Sequence, residues 1–332
     1  MIKRSSPSKS TWSVQSIVLT AITWAVVALL FFLLFSVSGL AGERPEWYSI
    51  TTYILEEGAF LGAGLLCFRN WRSNQMVSGR SVWLAIGLAM FSYFVGNLFL
   101  AYWEIALNNS PAVSPGDFFF ILTYLFLGWG MLQAVLSKQV NLTLVQWAIL
   151  AVIAVAGVAI AIAFIPSPDE ATIESASPAI ERVSPASPSA LAVSPGASPT
   201  APPIASPEPT PAEEVVGTPD WAIALEAQLT PLASIVVWLY IIGDVILVVM
   251  ATTLLLAFWG GRFSLSWRCI AAASFCYYIA DIWFNYATSY IPDYQTGGLL
   301  EVFFIFSGCL FAIGAALEYD LSTRRRSSRR RS

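Results

Sequence analysis

Eight apolar runs of about 20 to 27 residues constrain this chain more than any other feature, because a helix of that length crosses a hydrocarbon core of roughly 30 Å. They fall at about 15–40, 48–68, 82–106, 117–137, 144–165, 231–258, 265–289 and 299–318. Of the 332 residues, 57% are hydrophobic and 11% charged, against roughly 25% charged in soluble domains. The expected fold is all-α, a polytopic membrane helical bundle of about eight transmembrane helices. The first run is too long, and too well embedded in the series, to read as a cleaved signal peptide.

The basic residues predict orientation. Lys3, Arg4 and Lys9 precede the first run, Arg69, Arg72 and Arg80 follow the second, Lys138 the fourth, and Arg262 and Arg268 the sixth. The chain ends on Arg324, Arg325, Arg326, Arg329, Arg330 and Arg331. In an eight-span arrangement all of these share one side, and only Arg44 and Arg182 lie opposite. The positive-inside rule then makes both termini cytoplasmic. The expected organisation is a cytoplasmic N-terminus (1–14), five helices (15–165), an extracytoplasmic loop (166–230), three helices (231–318) and a basic cytoplasmic tail (319–332). The six tail arginines are expected to anchor the topology and bind anionic lipid head groups.

Most of the prolines fall in 167–219, a Pro-, Ser- and Ala-rich stretch that cannot bury a core and is expected to be a disordered linker. Helical spacing returns at 218–229, with Trp221, Leu225 and Leu229 on one face, as in a helix lying in the interface.

The chain also matches itself. With Trp83 set against Trp267, the pairs Ile86/Ile270, Ala89/Ala273, Phe91/Phe275, Tyr93/Tyr277 and Tyr102/Tyr286 are identical, and Asn97 falls opposite Asp281. Gly128 and Gly308 align in the next span. The spans at 48–137 and 231–318 therefore read as tandem copies of a three-helix unit, in parallel orientation.

Six acids stand in or at the edges of the apolar runs without Lys, Arg or His beside them in the sequence: Glu56, Glu57, Asp117, Asp244, Asp281 and Glu301. Such groups are costly at membrane depth unless paired, solvated or protonated. At about 1.5 Å per residue, Glu56 and Glu57 lie roughly 12–14 Å from the outer edge and Asp281 about 12 Å, level with Asn97. Asp244 lies near the midplane. Asp117 follows Ser114-Pro115-Gly116 and Glu301 stands in a first turn, where helix-dipole stabilisation is itself a sufficient reason for an acid. Glu56, Glu57, Asp244 and Asp281 lie deeper. They predict either a polar cavity for a cation, an amine-bearing ligand or a proton, or carboxyls bonded across helices to Tyr93, Tyr277, Tyr278 or Asn97.

Absences narrow the chemistry. There is no histidine, no CxxC and no mid-membrane lysine, and no Walker, GxSxG or GxGxxG motif. No metal, cofactor or enzymatic activity is expected. Cys67, Cys269, Cys276 and Cys309 read as small buried hydrophobes.

Trp83 to Asn97, SPGDFFFILTY (114–124), IGDVILVV (242–249), Trp267 to Asp281, and Glu301 together resemble the multi-pass sensory region that precedes the output domains of bacterial diguanylate cyclases and histidine kinases. Asp117, Phe118 and Tyr124 match its Ser-Pro-x-Asp-aromatic motif, and Asp244 and Asp281 match acids of its second half. Asn97 departs from it, standing where an acid is common. The resemblance implies a sensor in a bacterial plasma membrane. Since the sequence stops shortly after the last span, the signal is expected to reach a separate signalling protein. The expected function is a non-enzymatic sensor, ligand-binding or interaction module, with a ligand site at Glu56, Glu57, Asn97, Asp117, Asp244, Asp281 and Glu301. The alternative is a small cation- or proton-coupled transporter or channel. The nearly apolar inner halves of the spans favour the first.

Overall fold

Each of the eight apolar runs contains a helix. The computed structural model describes residues 13–36, 44–109, 111, 113–137, 143–163, 218–258, 264–291 and 294–329. Among them α1 is Val14–Phe35, α2 Glu46–Arg72, α3 Arg80–Ala101, α4 Pro115–Leu136 and α5 Leu144–Ala163. The rest are α6 Asp220–Leu229, α7 Ala233–Ala257, α8 Ser264–Tyr290 and α9 Val302–Arg329. The Pro-rich stretch expected to be a linker, Arg182, Arg330 and Arg331 lie outside the described residues, as do the side chains of Arg324, Arg325, Arg326 and Arg329.

Among the described residues, six helices are long and apolar enough to cross a membrane: Val14–Phe35, Glu46–Arg72, Arg80–Ala106, Pro115–Leu136, Asp220–Ala257 and Leu299–Thr323. The chain is thus an all-α, polytopic membrane protein. The other two expected spans are α5, whose apolar stretch is the shorter Leu144–Ile160, and α8, which dilutes its apolar residues with Asp281, Asn285 and several Ser and Tyr.

Local chemistry fixes the helix ends. Ser114 caps α4, accepting from the Gly116 amide while Asp117 accepts from the Ser114 amide, with Pro115 in the first turn. This is a capping box. At the end of α3 the helix widens into a π-helical turn, Tyr102–Ala106. A 3-10 turn containing Pro231 joins α6 to α7.

Six helices close into a ring in the order α2, α3, α4, α7, α8, α9, with α1 packed outside α9 and α2, and α5 outside α7. Contacts along each seam give the directions. Tyr48 reaches Gly297, Ala59 faces Gly308 and Asn70 reaches Ala315, so α2 runs parallel to α9. Tyr240 meets Asp117, Asp244 meets Tyr124 and Ile246 faces Gly128, so α7 runs parallel to α4. Against these, α3 and α8 run the other way: Gly87 faces Cys67 while Tyr93 meets Glu56, and Ser266 meets Gly314 while Tyr277 meets Phe304.

The ring is built of two like halves. Buried positions 48, 56, 59, 60, 63 and 64 of α2 recur in the same spacing at 236, 244, 247, 248, 251 and 252 of α7. Equivalent residues of α3 and α8 meet one another: the rings of Trp83 and Trp267 are 6.0 Å apart and those of Tyr93 and Tyr277 5.6 Å. Contacts between equivalents are what a two-fold relation produces. Gly128 faces α7 and Gly308 faces α2, the same role in each half. The tandem three-helix repeat read from the sequence is therefore present, in parallel orientation.

Candidate functional site

Two stripes face the centre of the ring, Trp83, Ile86, Met90, Tyr93 and Asn97 on α3, and Trp267, Ile270, Ser274, Tyr277 and Asp281 on α8. Their 3–4 spacing keeps one helix face inward. Each stripe is apolar at one end and becomes polar at the other, where α2, α4 and α7 begin. The acids gather at this second end.

The centre of the gathering is Asp244 with Asp281. Their carboxyls lie within electrostatic reach of each other. The Tyr124 hydroxyl donates to Asp244 Oδ1 at 2.8 Å, and Asn285 Nδ2 to Asp281 Oδ2 at 2.9 Å. Both side chains are closed off from solvent, at 3% and 7% exposure. One helix over, Asp117 accepts from Tyr240 at 2.6 Å as well as from its own cap.

A second group lies on the α2 and α9 side. The Tyr93 hydroxyl donates to Glu56, and Phe60 stacks on the Tyr93 ring at 3.7 Å. Glu301 accepts from the Gly297 and Gly298 amides at 2.8 and 2.9 Å and from Tyr294. Burial, and then the Glu301 carboxylate, holds the Tyr294 hydroxyl above the ordinary tyrosine range, which keeps it a donor. The T-shaped contacts of Tyr277 with Tyr93 and with Tyr124, at 5.6 and 5.5 Å, connect the two groups.

Of the expected site residues, Glu56, Asp117, Asp244, Asp281 and Glu301 converge on this end with hydroxyl or amide donors. Asn97 is buried on the central stripe, one turn beyond Tyr93, with Nδ2 unbonded. Glu57 does not join them. Successive helical residues point about 100° apart, so with Glu56 facing Tyr93, Glu57 is turned away, half-buried, with neither carboxylate oxygen hydrogen-bonded. Tyr93 is a carboxyl partner as expected, whereas the buried Tyr278 hydroxyl has no hydrogen-bond partner.

Three members were not among the expected site residues. Glu104, in the π turn, accepts from Tyr53 at 2.7 Å and Thr296 at 2.6 Å. π turns inside helices are frequent at functional sites. Arg44 lies within electrostatic reach of Glu104, so this acid end does have a nearby cation. Its guanidinium is held by the Thr296 carbonyl at 3.0 Å and rests against the Tyr48 and Tyr294 rings. The third is Glu226 of α6, which accepts from Trp103 at 3.0 Å and Asn109 at 2.6 Å. It seats α6 on the end of α3, where Ala222 and Leu225 pack with Trp103 and Leu107 and the Trp221 ring meets that of Trp103 edge-on at 5.7 Å, so Trp221 and Leu225 of the expected face take part.

Beyond the tyrosines the ring is filled by hydrocarbon: Met90, Leu127, Met131, Leu247, Phe311 and the two tryptophans are fully buried. Phe258 stacks on Trp267 at 4.9 Å. Polarity returns at the far ends of α2 and α9. There Ser78 donates to the buried Glu318 at 2.9 Å, Trp83 donates to Ser78, and Asn70 donates to the Ala315 carbonyl. The expected apolar inner halves thus hold for the middle of the ring and not for this end. A cavity of about 210 Å³ between α5 and α7, lined by Val158, Trp238, Ile241, Ile242, Val245 and Ile246, has apolar walls and takes no part in the acid cluster.

Among the described residues, no three His, Cys, Asp or Glu side chains converge as a metal-ion site. No protein-family model matches the chain, and comparisons with curated proteins and with solved structures find no match.

Proposed function

We propose that this membrane protein is a non-enzymatic sensor or ligand-binding module whose acid end takes up a small cationic ligand or a proton. The observation that carries the reading is the Asp244–Asp281 pair, two buried carboxyls within electrostatic reach of each other and held by the neutral donors Tyr124 and Asn285. Such a pair changes its hydrogen bonds whenever its charge state changes. The filled middle of the ring supports binding over passage, because a transport path needs polar groups on both sides of Trp83 and Trp267 without a hydrocarbon block between them.

Output follows the helices. α9 starts beside Glu301 and runs unbroken past Glu318 to Arg329. A shift at the acid end moves this helix as a rigid rod toward a separate signalling protein, and the tail arginines meet anionic lipid on the cytoplasmic side. The positive-inside rule orients the acid end outward. The sensory-region resemblance of the Asp117, Asp244 and Asp281 motifs agrees with this reading.

Reconstitution in liposomes tests it. The expected result is no cation or proton flux above that of empty vesicles. Flux that needs the acids, abolished by Asp281→Asn, would overturn the sensor reading in favour of a transporter.

A further inference from the structure

Arg44 holds its guanidinium among groups that suit a cation. Nη1 donates to the Thr296 carbonyl at 3.0 Å and to that of Gln295, and Nη2 donates to the Ser36 carbonyl at 3.3 Å. The guanidinium carbon stands 5.7 Å from the centre of the Tyr48 ring and 5.9 Å from that of Tyr294. Both rings are fixed by their far ends: the Tyr48 hydroxyl donates to the Gly297 carbonyl at 2.7 Å, and the Tyr294 hydroxyl donates to Glu301. Thr296, whose carbonyl accepts from Arg44, donates its hydroxyl to Glu104 at 2.6 Å. Two aromatic rings beside a cation, backed by carboxylates, are the means by which proteins recognise organic cations.

The fit of Arg44 is incomplete. Its acceptors are neutral carbonyls, while Glu104 and Glu301 accept from hydroxyl and amide donors. Its Nε is buried with no hydrogen-bond partner, a condition that costs free energy. A guanidinium carried by the chain cannot turn to correct this, whereas a free one can. The place is also within reach of solvent, since Arg44 and Tyr294 are half-buried and Gln295 is exposed.

We propose that Arg44 is a built-in occupant of a binding site for small organic cations bearing a guanidinium group, and that an external ligand of this class binds by displacing it. The inference rests on the sensor reading and names the ligand class and its point of entry. A planar guanidinium suits the two rings and the carbonyl acceptors, and an ammonium, a compact point charge, suits them less. Displacement has a consequence for output. Arg44 leads into α2, and Gln295 and Thr296 lie just before Leu299–Glu301 and the start of α9. Releasing Arg44 therefore unties the entry to α2 from the entry to the helix that carries the signal.

The test is ligand-observed saturation-transfer NMR on the full-length protein in detergent, titrating methylguanidinium chloride and following its methyl protons. Methylurea, of similar shape without the charge, is the reference. The expected result for the wild-type protein is saturable binding of methylguanidinium and none of methylurea. A tethered competitor acts at an effective concentration of roughly mM, so Arg44→Ala should bind methylguanidinium several-fold more tightly. Arg44→Gln makes the same comparison if the alanine variant does not fold. Tyr294→Leu should weaken binding several-fold. No binding to the wild-type protein overturns the inference, and binding only after Arg44 is replaced overturns it as well, by showing that Arg44 is a structural tether. Binding that Tyr294→Leu leaves unchanged places the cation elsewhere and overturns it too, while leaving a cationic-ligand sensor standing. The liposome measurement succeeds or fails independently of this one.

Discussion

The Tyr124 hydroxyl donates to the Asp244 carboxyl across 2.8 Å, joining α4 of the first three-helix unit to α7 of the second. The bond spans the seam between the halves, and its acceptor lies within electrostatic reach of Asp281. The site is thus a product of the ring's closure, and changes that disturb the seam should disturb the site.

Gly243, next to Asp244, sets how closely Tyr124 approaches. A Cβ there would lie 2.7 Å from the Tyr124 ring. Gly243→Ala should push the ring off Asp244 and destabilise the protein by about 1–3 kcal/mol. Gly128→Ala, which meets only Ile246 at 3.9 Å, should change stability little. Thermal unfolding of both variants in detergent checks the contrast.

At the other seam, a Cβ on Gly308 would fall 2.8 Å from that of Ala59 and 3.0 Å from its backbone carbon. The clash is with α2 itself, so no side-chain rotation relieves it, and small residues are what allow helices to approach this closely. Gly308→Ala should lower the unfolding temperature. Gly62→Ala, with nothing within 4 Å, should leave it unchanged or raise it.

Tyr93→Phe removes the hydroxyl that serves Glu56 and keeps the ring stacked on Phe60. The orphaned buried carboxyl should cost about 1–3 kcal/mol. Combining Tyr93→Phe with Glu56→Leu should cost less than the two separate losses added, as expected of direct partners. Unfolding of the two single variants and the double variant gives the coupling.

Glu226 fastens α6 through Trp103 and Asn109. Glu226→Ala should speed amide hydrogen exchange in α6 while protection in α3 and α8 stays as before, since local opening need not involve the ring. Equal loss of protection in all three would show that α6 is integral to the ring.

Much of the fold was legible because hydropathy and length dictate helices in a membrane: seven of the eight runs fall within about five residues of the observed helix ends, while the last continues as α9 to Arg329. The repeat was legible from Trp83/Trp267 and Tyr93/Tyr277, which pack against each other. Helix faces were harder to read. Glu56 and Glu57 are adjacent in sequence, and packing alone decides that Glu56 turns inward. Glu104 and Arg44 come to the acid end through a π turn and a loop, for which apolar periodicity carries no signal. Glu318 stands at the end of the last apolar run, yet the continuation of α9 keeps it buried, with Ser78 of the α2–α3 loop donating to it.

We propose that the buried Asp244 and Asp281 carboxyls hold a proton between them, and the account depends most on it. Infrared difference spectroscopy of the wild-type protein, exchanged between H2O and D2O, measures it directly through the carbonyl stretch of a protonated carboxylic acid. The predicted result is a deuterium-sensitive band altered by Asp244→Asn and by Asp281→Asn alike, and untouched by Glu57→Gln. A spectrum that neither aspartate substitution changes would mean that the pair holds no shared proton, and would contradict the site as described.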